Sequence, residues 1–92
     1  MTRSVRAGER LLATATTREV APGGRVFIPI GSTEQHGPHL PLDTDTRIAV
    51  AVAHRVAGLV GQEGSCVGPA IPYGSSGEHQ SFPGTASIGT AA

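Results

Sequence analysis

The sequence predicts an α/β fold built on a parallel-sheet βαβ unit, and three stretches carry that prediction. Val26 to Ile30 (VFIPI) is a continuous apolar run without polar alternation, the pattern of a strand covered on both faces. Thr44 to Gly61 repeats apolar residues at helical spacing. Ser65 to Ile71 is a second short apolar run, closed by Pro72. A strand, a helical crossover and a second strand in that order imply parallel strands joined by a right-handed connection.

Taken in order, residues 1 to 10 are polar and patternless and read as a mobile arm. Thr16 or Thr17 can cap one helical turn over Arg18, Glu19 and Val20, ended by Pro22, Gly23 and Gly24. Within the first strand, Pro29 cannot donate to a ladder and is tolerable only near the strand's end. Asp43, Thr44, Asp45 and Thr46 offer N-caps and acidic charge at the start of the long helix. Ile48, Ala49, Val52, Ala53, Val56 and Val60 form its expected buried face, with Arg47, Ala51, His54 and Arg55 opposite. Gly61 and Gly64 supply the stop. Thr90 is placed to cap a further helix.

Composition narrows the functional classes. At 92 residues with 38% apolar content and only Phe27, Tyr73 and Phe82 as aromatics, a self-contained core is marginal. Seven acidic residues balance seven basic ones, all arginine, so no overall field favours nucleic acid or an anionic membrane. A single cysteine, Cys66, rules out an internal disulfide and fits a reducing compartment. No apolar run has the length of a membrane span or a signal peptide core. The expectation is a cytoplasmic protein.

The chemistry concentrates after the two strands, at the edge where ligand sites of parallel sheets lie. Residues two apart in an extended segment point the same way, so Glu34 and His36 can share a target while Gln35 points elsewhere. The proline-stiffened loop Gly37 to Leu42 can turn the chain back, returning Asp45 to the same place. Carboxylate and imidazole together suit zinc, manganese and related divalent ions. The alternatives stay open at this level: Asp43 and Asp45 are also good helix caps, His39 can bond backbone, and Glu78 and His79 can be plain surface.

Two segments resemble a known family. GSTEQHGPHLPLDTDT (residues 31 to 46) is similar to the N-terminal signature of the creatininase (creatinine amidohydrolase) family, and IPYGSSGEHQSFPGTASIGT (residues 71 to 90) to the signature that follows it. The wording of the second segment further resembles the mycofactocin-system branch, whose members trim a ribosomally made precursor peptide at its C-terminus. The resemblance implies a three-layer α/β/α sandwich, a homo-oligomer, and amide hydrolysis by a metal-activated water at two divalent ions (zinc, manganese or iron). Residue by residue, it implies that Glu34 binds one metal, His36 the other, and that Asp45 bridges them. The loop from Tyr73 to Thr85 is then near the substrate, with Ser76, Glu78 and His79 as candidates to meet a peptide or small amide. Family members are more than twice this long, so residues 1 to 92 read as the N-terminal portion of one domain whose C-terminal part, with further ligands, is absent. The short Ser-Ser-Gly-Glu-His-Gln stretch argues against creatinine itself as substrate. A sister hydrolase of a small cyclic or formyl amide is one alternative. Another is a non-catalytic remnant that only binds metal or a homologous subunit.

Overall fold

The computed structural model describes residues 11–20, 23–61 and 65–89. The expected arm at 1–10, the stop at Pro22, the second stop at Gly64 and the cap at Thr90 lie outside the described residues. The chain divides into two compact units, one of Met1–Pro29 with Ala51–Pro69, the other of Ile30–Val50 with Ala70–Ala92. Strand β1 (Val26–Phe27), helix α1 (Thr44–Val60) and strand β2 (Cys66–Val67) follow in the predicted order.

In the first unit β1 and β2 pair in parallel, Val26 opposite Cys66 and Phe27 opposite Val67. The Cys66 N–H donates to the Arg25 carbonyl at 2.9 Å and the Gly68 N–H to that of Phe27 at 2.8 Å. Leu11 forms a parallel bridge on the other side of Val67. Both strands are shorter than the apolar runs that announced them. Pro29 and Pro69, which have no N–H to give, follow directly where the ladder ends. Upstream, a 3-10 turn covers Thr17–Glu19. The Glu19 carboxylate accepts from the Thr16 N–H at 2.9 Å, so Thr16 is the residue at the cap.

Helix α1 matches its predicted span to within one residue and ends at Gly61, whose φ of +63° suits glycine. Its buried face matches the expected one at Ala53 and departs from it at the bulkier positions. Ala53 and Ala57 are buried against Val67, with Phe27 packed beside them, whereas Val52, Val56, Leu59 and Val60 are exposed. Counting apolar residues centres the face on the bulky side chains. The structure instead turns toward the sheet the i, i+4 pair of alanines, whose small side chains let the helix backbone lie close. The exposed branched residues leave an apolar stripe on the surface.

This packing sets an order of sensitivities opposite to the one hydrophobicity suggests. Ala57 is 0% exposed and Leu59 is 70% exposed. Ala57→Leu is expected to lower stability by about 1–3 kcal/mol through overpacking. Leu59→Ser should change it by no more than about 0.5 kcal/mol. Urea unfolding of the two variants checks this, and a larger loss in Leu59→Ser would place the buried face on the other side of the helix.

Candidate metal centre

Every side chain described here belongs to the second unit. Ile30 and Ile71 form a parallel bridge, and the Gly31 N–H donates to the Ile71 carbonyl at 2.8 Å. Two parallel segments leave such a bridge in the same direction, so the loops after Ile30 and after Ile71 open at one end. Thr33 ties them: its hydroxyl donates to the Pro72 carbonyl at 2.8 Å, and its own carbonyl accepts from the Ala86 N–H at 2.9 Å.

The first turn of α1 is held against the segment that follows Ile30. A Cβ on Gly31 would overlap the backbone of Thr46, so only glycine permits this approach. The Ser32 hydroxyl donates to Asp45 Oδ2 at 2.7 Å, and the Thr46 hydroxyl donates back to the Ser32 carbonyl at 3.1 Å. The predicted return of the loop is present: His36 and Leu40 form an antiparallel bridge, and the Glu34 N–H donates to the Leu42 carbonyl at 3.0 Å. At the helix start, Asp43 accepts from Arg47 Nε at 2.8 Å, while the Asp45 carboxylate turns away from the helix toward Ser32 and His36.

Glu34, His36 and Asp45 come together, each offering one ligand atom, all within 4.8 Å of one another. Glu34 is 8% exposed. His36 Nδ1 lies 3.0 Å from the Glu34 backbone carbonyl. A carbonyl only accepts, so Nδ1 carries a proton and Nε2 of the neutral ring is a lone pair. That lone pair sits 3.3 Å from Asp45 Oδ1, which is also an acceptor. Two acceptors at this distance repel unless a cation, either a proton or a metal ion, lies with them. The donor set therefore fits a divalent ion.

The electrostatics agree. The hydrogen bond to the Glu34 backbone, with Asp45 and Glu34 acting the same way against desolvation, raises the His36 pKa above its ordinary 6.5. The Ser32 hydroxyl, aided by Glu34 and His36 against desolvation, holds the Asp45 carboxyl below its ordinary 3.8. Asp45 thus stays ionised to lower pH, and the site attracts positive charge.

A second group shares Glu34: Glu34, Glu78 and His79 also place one ligand atom each within 4.8 Å of one another. Glu78 and His79 lie in a 3-10 turn, Gly77–His79. Ser76 precedes it, fully buried at 0% exposure, with its hydroxyl unpaired and its N–H bound to Ser87 Oγ at 2.9 Å. Of the three substrate candidates, Ser76 is therefore enclosed while Glu78 and His79 reach the site. His39 is exposed and belongs to neither group. Two contributors escaped the sequence reading. Ser32 is an unremarkable serine in a turn until Asp45 is seen to face it, and Gln35, which the alternation expected to point elsewhere, meets His79, the same residue that faces Glu34.

Removing the Ser32 hydroxyl isolates its effect. In Ser32→Ala the Asp45 pKa should rise toward 3.8, because the leading stabiliser of the charged form is gone. A carboxylate-detected NMR titration of the metal-free protein measures this, and an unchanged midpoint would show that Ser32 does not control Asp45.

Comparison with known proteins gives concordant relatives. The sequence profile of the creatinine amidohydrolase family (creatininase) matches residues 8–92. A mycofactocin precursor peptide peptidase of Mycolicibacterium smegmatis is 56% identical over 85 residues, covering 88% of this chain and 34% of that protein. A creatinine amidohydrolase of Pseudomonas putida is 33% identical over 93 residues, covering 96% of this chain and 35% of that protein. A solved structure of a mutant creatininase superposes with a TM-score of 0.69 at 28% identity, over 86% of this chain and 34% of that one. The chain spans about a third of the length of the relatives it matches.

Proposed function

The chain belongs to the creatininase family, and on that premise we propose that it carries the first part of the metal centre of a hydrolase that cleaves a C–N bond. The observation that carries the proposal is the His36 Nε2 lone pair facing Asp45 Oδ1 at 3.3 Å beside the buried Glu34 carboxylate. Glu34, His36 and Asp45 would hold the divalent ions (two of zinc, manganese or iron) that the reaction uses. When bound, such ions acidify water and polarise an amide carbonyl.

The chain's own residues do the positioning. Ser32 fixes one oxygen of Asp45 and leaves the other toward His36. The Glu34 carbonyl fixes the tautomer and orientation of His36, as an outer partner of a ligating histidine does. The N-terminus of α1 favours the negative charge of Asp45 at its first turn. Glu78, exposed on the second loop, is available to an arriving substrate.

The substrate favoured is the C-terminal part of the mycofactocin precursor peptide. The support is the 56% identity to a protein named as its peptidase, against 33% to a creatinine amidohydrolase. A small cyclic or formyl amide is the second reading, favoured by the Pseudomonas relative. A third is a chain that binds metal or a homologous subunit without catalysis. The working form is a homo-oligomer in the cytoplasm; no helix among the described residues is long and apolar enough to cross a membrane.

The test incubates the parent protein with the precursor peptide and with creatinine. Cleavage of the peptide should be abolished by a chelator. Asp45→Ala should lower the rate by more than the ~10–100-fold typical of losing an outer partner of a metal ligand. Equal rates for the parent and Asp45→Ala would remove Asp45 from the site, and turnover of creatinine alone would select the second reading.

A further inference from the structure

The two groups that share Glu34 look alike as donor sets, yet their hydrogen bonds assign them different chemistry. The Gly37 N–H donates to Gln35 Oε1 at 3.0 Å. Gly37 has φ of +73°, a conformation that suits glycine and places this N–H in the turn. Because a backbone N–H can only donate, the atom facing it must be the amide oxygen, and the orientation of the Gln35 amide is settled. Its Nε2, a donor, therefore faces His79 Nδ1 at 3.0 Å. Nδ1 must accept, so the proton of the neutral ring is on Nε2.

His79 Nε2 lies 3.9 Å from Glu34 Oε1 and 3.9 Å from Glu78 Oε1. It thus presents an N–H to two carboxylates, where His36 presents a lone pair to one. An N–H cannot ligate a cation. The Glu34 side chain is 11% exposed and that of Glu78 is 75% exposed, so the interaction with Glu34 is the less screened of the two. The His36 and His79 rings are parallel within 9°, with centroids 6.3 Å apart, so the two imidazoles share an orientation.

We propose that Gln35, locked by the Gly37 N–H, turns the N–H of His79 toward the Glu34 carboxylate, which it positions electrostatically across 3.9 Å, so that Glu34, Glu78 and His79 are not a further cation site. His79 is a positioning residue, acting through Glu34, and this role rests on the reading of Glu34 as a metal ligand. Gln35 acts one step further out, and no tautomer other than Nε2–H satisfies both of its contacts.

The first test needs no metal. In protein with 15N-labelled histidine, long-range 1H–15N NMR at a pH where the ring is neutral should show His79 protonated at Nε2 and bare at Nδ1. Gln35→Glu has the same shape but offers only acceptors, and should move the proton to Nδ1. A wild-type ring protonated at Nδ1, or a Gln35→Glu ring that keeps its proton on Nε2, would overturn the proposal. The second test is calorimetry with zinc and with manganese. Gln35→Glu and His79→Ala should weaken binding ~10–100-fold. His79→Gln, which can restore an N–H near the Nε2 position, should recover most of that loss. Glu78→Gln should leave the number of bound ions unchanged, and loss of one equivalent would mark the second group as a cation site. If wild type binds neither metal, the positioning role falls with the metal reading on which it rests, while the NMR result separately decides whether Gln35 sets the tautomer.

Discussion

The arrangement depends on the close approach between the first turn of α1 and the segment that follows Ile30. It is made by Gly31, which leaves room for the Thr46 backbone, and by the reciprocal pair in which Ser32 donates to Asp45 and Thr46 donates to Ser32. A side chain at position 31 would separate the two segments. Asp45 would then lose its hydroxyl partner and His36 the carboxylate its lone pair faces. Asp45 need not cap the helix that carries it, because it can benefit from the helix dipole while its oxygens are engaged elsewhere.

Around that contact the site is built from groups whose proton positions are dictated by backbone atoms. The Glu34 carbonyl makes His36 Nδ1 a donor, and the Gly37 N–H, through Gln35, makes His79 Nδ1 an acceptor. One imidazole consequently offers a lone pair and the other an N–H, both near the buried Glu34 carboxylate. Proximity of histidines and carboxylates alone does not rank the two groups. The direction of each hydrogen bond does, since a metal ion needs lone pairs and a proton on the facing nitrogen removes one.

Much of this was legible in the chain. The helix was read to within a residue because its caps and its glycine stop are local. The order strand, helix, strand followed from three apolar stretches. The two strands are interrupted, with pairing at Val26–Phe27 and again at the Ile30–Ile71 bridge, because apolar content reports burial while the ladder requires N–H groups, which Pro29 and Pro69 lack. The buried face of α1 was misplaced at its bulkier positions because periodicity weighs bulk, whereas packing against Val67 selected the small side chains of Ala53 and Ala57.

The sequence by itself determined the parallel α/β plan and the family, and it singled out Glu34, His36 and Asp45, which the fold brings together. Each of these is written in short-range spacing or in contiguous motifs. Only the tertiary structure decided that Ser32 governs Asp45, that Ser76 is enclosed, and that Gln35 sets the tautomer of His79. Those contacts join residues 13, 11 and 44 positions apart. No local pattern encodes them, because the direction of a hydrogen bond is fixed only when a distant donor or acceptor is brought within 3 Å or so.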